Sequence, residues 1–294
     1  WFLYMLLALL TDGQLGLLKR GSTGFVAPIA ERFRQLGGEL TCGATVEQVL
    51  VEEDAAVGVR LVGGQVERAD AVISAADGYS TIFEMLGGHY ADEAIRTRYR
   101  EWPLIRPMVM LSYGVRRSFA GEPHLRVFQL AEPLAVGPQA VPALMLRIFN
   151  YSDHFAPSGK TVIQATFDAE WDYWRSLRDD PPAYEAAKAR LAGEVLARLE
   201  RHYPGLSAQV EITDVATPYT TWRYTRNRQG AYEGWLPTPR LLMTTLPRTL
   251  PGLRRFAMAG QWVMPGGGVP TCLLSGRDAV RILCRQDGVT FRPE

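Results

Sequence analysis

The sequence runs to 294 residues, 47% of them hydrophobic, and a chain of that size buries roughly three-quarters of its extended surface on folding, which excludes a disordered chain and a disulfide-stapled miniprotein. Lys and Arg number 32 against 31 Asp and Glu, so no global field exists to hold a nucleic acid. The balance is uneven: residues 222–294 carry eleven Arg and four acids, a net +7 that leaves −6 on the first 221.

At about 150 residues per domain the length suggests two domains or one interrupted one. The apolar run Trp1 to Leu10 predicts a short helix over residues 2–10, far below the ~20 residues of a bilayer span; it reads as a buried helix, with a greasy substrate- or membrane-facing surface as the alternative. Phe25, Ile29, Phe33 and Leu36 recur at helical spacing and Gly37-Gly38 stops that helix. Four β-rich pieces follow, Leu40 to Cys42, Val46 to Val51, Val57 to Val62 and Ala71 to Ala75, the last apolar on both faces like a central strand. Asp77 can cap a helix through Leu86 and Asp92 another through Tyr99. Longer aromatic strands at Met108 to Val115, Arg126 to Leu130, Ala143 to Tyr151 and Thr161 to Phe167, divided by Pro and Gly, predict an antiparallel sheet. Pro181-Pro182 opens a helix with a Tyr184, Leu191, Val195, Leu199 stripe. Val210 to Val215 reads as a strand, and Thr217 to Pro251 as irregular, aromatic and Arg-rich.

Cys42, Cys272 and Cys284 form no C-x-x-C, so they read as small buried hydrophobes in a reducing, cytoplasmic compartment. The four His are scattered and no metal site is expected. Arg223, Arg226 and Arg228 read as a solvated face, with contact to anionic lipid at a membrane surface as the alternative. Oligomeric state is left open.

The segment from Phe256 to Arg277 carries the chemistry. A strand of small and apolar residues reaches Gly260, then Gly266-Gly267-Gly268 lets the backbone approach something closely before Pro270 opens a helix to about Cys284. A helix N-terminus exposes unpaired N–H groups and about half a positive charge, which suits phosphate or a developing anion. The alternative is a Gly-rich connection with no ligand.

Three blocks, Gly21 to Gly38 with Val46 to Asp77, Thr217 to Pro237, and Gly260 to Gly276, resemble the phytoene desaturase and carotenoid isomerase group of FAD-dependent oxidoreductases, relatives of the flavin amine oxidases. The resemblance implies an α/β fold, mixed with α+β. Residues 1–77 would be the later part of a Rossmann-like FAD domain of the glutathione-reductase type, with 1–20 able to form a substrate-domain helix. Residues 78–216 would form an inserted substrate domain of antiparallel sheet plus helices, and 217–294 the return to the flavin. Carried over by position, Val46 meets the adenine through its backbone, Ala75 and Ala76 stand beside the cofactor, Gly260 and Gln261 lie near the pyrophosphate and ribityl chain, and Gly267, Gly268 and Val269 lie under the flavin ring. Gln261 replaces the family's usual acid, and no G-x-G-x-x-G follows a strand; the family's fingerprint lies upstream of what matches Trp1, so the chain reads as the C-terminal portion of a longer flavoenzyme.

The implied chemistry is hydride removal from an apolar polyene to flavin, or flavin-assisted cis/trans isomerisation. Trp222, Tyr224, Tyr232 and Trp235 are candidates for an apolar substrate channel or ordinary core. No catalytic side chain is assigned. A flavin oxidase acting on an amine and a non-catalytic carrier of hydrophobic ligands are the alternatives.

Overall fold

The computed structural model describes residues 7–9, 11–13, 16–242 and 244–292. Of the opening helix, residues 7–9 are helical and the rest of the expectation lies outside the described residues. The first full helix, α1 (Gly21–Gln35), starts four residues before the expected Phe25 and has no buried residue. Val26, Ile29, Phe33 and Leu36 are between 47% and 62% exposed.

An antiparallel meander follows, β1 (Val46–Glu52), β2 (Ala55–Leu61) and β3 (Val66–Arg68), in that spatial order. Leu40 to Cys42, expected as a strand, is irregular and exposed, since pairing requires a neighbour that local β-propensity cannot supply. β4 (Val72–Ser74) pairs in parallel with β10 (Phe256–Met258), Ile73 standing opposite Ala257. Residues Ser80–Met85 form a π-helical segment where an α-helix was expected. α2 (Glu93–Glu101) is capped as its sequence suggests, Asp92 Oδ1 accepting from Ile95 N at 2.8 Å.

The larger sheet contains β5 (Met108–Val115), β6 (Leu125–Val136), β7 (Gln139–Ile148), β8 (Thr161–Asp168) and β9 (Val210–Ala216), ordered β6-β7-β8-β5-β9 and antiparallel throughout. β5 buries every second residue, Val109, Leu111, Tyr113 and Val115, the period that one covered sheet face demands. The cover is α3 (Trp171–Leu177), through Trp174, and α4 (Pro181–Glu200), through Tyr184, Leu191, Val195 and Leu199. Each such aliphatic side chain contributes about 1.5–3 kcal/mol by leaving water.

A second core joins the two ends of the chain: Val49, Ile82, Ile95 and Tyr99 pack with Trp235, Leu253, Phe256, Met258 and Trp262. The Thr217 to Pro251 stretch is more ordered than expected. It contains α5 (Pro218–Thr225), with a Thr217/Thr220 capping box, and α6 (Pro239–Leu242). The last helix, α7 (Gly268–Gln286), packs on β10 and buries Ser275 and Ala279. Contrary to expectation, Cys42 is exposed and Cys272 and Cys284 are only half-buried. Among the described residues no helix is long and apolar enough to cross a membrane.

Candidate cofactor site

The parallel strands β4 and β10 end side by side. Ala259 N donates to Ser74 O at 2.9 Å, carrying the pairing one residue past the strands. Ala75 and Ala76 leave β4 exposed, next to Gly260, whose N donates to Ser275 Oγ at 2.7 Å. Ser275 Oγ–H in turn donates to Cys272 O at 2.6 Å, so one buried hydroxyl fastens the end of β10 to the first turns of α7.

Gly266, Gly267 and Gly268 have φ of +111°, +60° and +76°, all outside the range that L side chains favour. Gly267, with ψ −174°, is the N-cap of α7; no side chain caps it and the first turn holds no acid. A Cβ built on Gly260, Gly266 or Gly268 would come no nearer than 3.8 Å to any neighbour, and Val269 is 49% exposed. The outward face of the turn is therefore open among the described residues, with N–H donors and the positive end of a 19-residue helix directed into it. These features fit a cofactor that brings phosphate or a ring able to accept negative charge.

The other wall is the loop after α5. Gly234 packs against Gln261 and Trp262, and the side chain of Glu233 lies so close to Gly267 that a Cβ there would sit 2.7 Å from its Cβ, Cγ and Cδ. This loop is held by Asp77, which is buried at the end of β4. Its Oδ1 accepts from Ser80 N at 2.8 Å and its Oδ2 from Arg228 N at 2.9 Å. Burial pushes the Asp77 carboxyl above the usual carboxylate range, against the pull of those two N–H groups. The Arg228 guanidinium stacks 4.4 Å from the Tyr79 ring and donates to Tyr99 O at 3.0 Å. Burial also raises the Tyr99 phenol, and the Asp77 charge adds to the effect. Glu233 is raised by burial alone; Tyr232 is raised first by burial, then by the charges of Glu233 and Asp168.

Of the sequence-derived site residues, Ala75, Ala76, Gly260, Gln261, Gly267, Gly268 and Val269 share this neighbourhood, whereas Val46 opens β1 opposite Leu61. The four aromatic candidates do not converge. Trp235 is 1% exposed and donates its Nε1–H to Trp262 O at 3.2 Å within the second core; Trp222 packs 5.2 Å from the Tyr219 ring on α5; Tyr224 is 77% exposed; Tyr232 stands beside Glu233. Sequence reasoning passed over Ser275, the second bond of Asp77 and Glu233. The signal available for Glu233 was that it is one of only four acids after residue 221.

The fold is shared with an oxidoreductase from Methanosarcina mazei, with a TM-score of 0.55 and 15% identity over 88% of this chain and 54% of that one; the likeness is one of fold alone. The chain belongs to the family of flavin containing amine oxidoreductases, whose profile matches residues 2–284, and a flavin is the cofactor that the family implies. Among curated relatives it is 26% identical to a chloroplastic prolycopene isomerase of Arabidopsis thaliana, over 87% of this chain and 43% of that protein. It is 25% identical to the neurosporene-forming phytoene desaturase of Cereibacter sphaeroides, over 85% and 50%. The chain thus spans about half the length of the curated relatives it matches.

Proposed function

We propose that the protein is an FAD-dependent oxidoreductase that acts on CH–CH groups of an apolar, carotenoid-like polyene, as a desaturase or a cis/trans isomerase. The observation that carries this reading is the open glycine turn at the uncapped start of α7, set beside the ends of β4 and β10. The names of the relatives support a polyene as the substrate.

In this reading, residues 1–77 and 217–294 serve the cofactor and 78–216 the substrate. Gly267 and Gly268 let the backbone meet the flavin ring, the N–H groups of the first turn of α7 face the negative charge that the ring acquires, and Gln261 offers its amide to the ribityl hydroxyls. Ala75 and Ala76 leave room at the strand end. The flavin, when bound, supplies the hydride-accepting chemistry; the protein excludes water and orients the polyene against it. Arg223 and Arg226, exposed beside Tyr224 and Trp222, suit contact with an anionic lipid surface from which such a substrate is drawn.

The test is to purify the protein from its full reading frame, record the visible spectrum, and mix it anaerobically with micelles of phytoene or prolycopene. Copurifying flavin, with conversion of either polyene, is expected. A protein that neither carries nor takes up flavin refutes the reading, and flavin that is bleached by amines but leaves both polyenes unchanged moves it to an amine oxidase.

A further inference from the structure

The site contains two carboxyl groups with opposite circumstances. Asp77 has both oxygens engaged by backbone N–H groups and serves to hold the loop. Glu233 makes no hydrogen bond or ion pair among the described residues, yet its side chain lies against Gly267, in the turn assigned to the flavin ring. We propose that Glu233 is the proton-transfer residue of the polyene reaction, an inference that rests on the reading of the site given above.

The surroundings isolate it. The segment 260–267 has no titratable side chain, and the first two turns of α7 have only Cys272. On the loop itself the titratable neighbour is Tyr232, which feels Asp168 from the end of β8 and Arg147 from β7. Among the described residues no charged group pairs with Glu233, which leaves its proton available to a substrate, and burial makes its carboxylate a stronger base than an exposed Glu.

The step balances for both chemistries. In desaturation, a bound flavin would be the two-electron acceptor for the hydrogen and electron pair that leave one C–H bond as hydride. The neighbouring C–H bond then breaks, its electrons form the new C=C, and its proton passes to a Glu233 Oε. The polyene loses two electrons, which a bound flavin would take up, and Glu233 gains one proton. In isomerisation, Glu233 begins protonated and gives its proton to a polyene carbon, the allylic cation rotates, and the same carboxylate takes the proton back with no net redox change.

The experiment compares flavin-loaded wild type with Glu233→Gln and Glu233→Asp, using the phytoene and prolycopene micelles described above. In wild type, the absorbance of the bound flavin should follow a one-proton titration that Glu233→Gln abolishes. Both variants should keep their flavin; Glu233→Gln should lose at least about 100-fold in turnover together with the pH limb that Glu233 sets, the acid limb with phytoene and the alkaline limb with prolycopene, and Glu233→Asp should recover part of both. A flavin-loaded Glu233→Gln that turns over within about threefold of wild type, with an unchanged pH profile, overturns the proposal alone. A flavin spectrum that is invariant with pH in wild type overturns it too, even where a variant fails to fold. Wild type with no flavin at all overturns the proposal together with the site reading.

Discussion

Substituting Gly267 by Ala tests the turn on purely structural grounds. At φ +60° and ψ −174° the residue occupies a region reserved for glycine, so any Cβ adds about 1–3 kcal/mol of backbone strain. That Cβ would also lie 2.7 Å from Glu233 Cβ, Cγ and Cδ. Because the Glu233 Cβ is fixed to its backbone, the loop itself must move, an overpacking cost of about 1–3 kcal/mol. The expected total is about 2–6 kcal/mol, read as a lowered urea midpoint by tryptophan fluorescence. In a Glu233→Gly background the contact is gone, and the cost should fall to the strain of about 1–3 kcal/mol. A loss below about 0.5 kcal/mol in wild type refutes the backbone argument, and equal losses in the two backgrounds refute the contact.

Other outcomes follow from the same structure. Asp77→Asn keeps one of two acceptors and leaves a half-buried N–H of Ser80 or Arg228 without its carboxylate partner, so urea unfolding should show a loss of about 1–3 kcal/mol. Phe33→Ala, at a position 48% exposed, should change stability by no more than about 0.5 kcal/mol, whereas Phe256→Ala, at 0%, should cost about 3–5 kcal/mol in the same assay; similar values would show that α1 is packed after all. Burial raises Tyr99 and Tyr113 above their ordinary value of 10, so their stabilisation is complete below pH 10 and is lost as pH rises from there through the folded-state values. Unfolding free energy measured against pH should fall by about 1.4 kcal/mol per unit for each tyrosine, and Tyr113→Phe should remove one such slope.

Much of the larger sheet was legible because its signals are local. The Met108–Val115 strand has the bounds its alternation predicts, and the Tyr184 to Leu199 stripe faces the core as drawn. Where partners are distant the sequence was mute. Asp77 was read as a cap, and Oδ1 does accept from Ser80; that Oδ2 would reach Arg228, 151 residues on, has no local signature. The contact of Glu233 with Gly267 is of the same kind. α5 is a different lapse: Thr217, Pro218 and Thr220 spell a helix start that the surrounding aromatic and Arg-rich composition masked. The Gly266 to Pro270 pattern was legible because backbone needs, not tertiary partners, dictate it.

The parallel pairing of β4 with β10 sets a timetable for synthesis. Val72 and its partner Phe256 are separated by 256 − 72 = 184 positions, so at about 5–20 residues per second the partner strand emerges roughly 10–40 s later. During that interval the hairpins of the larger sheet can close on their own neighbours, while Val49, Ile82 and Ile95 wait without the Phe256 and Trp262 that will cover them. The cofactor site belongs to the half that waits. On the ribosome it is therefore completed only after the larger sheet has closed, and until Phe256 and Trp262 arrive its apolar half stays uncovered.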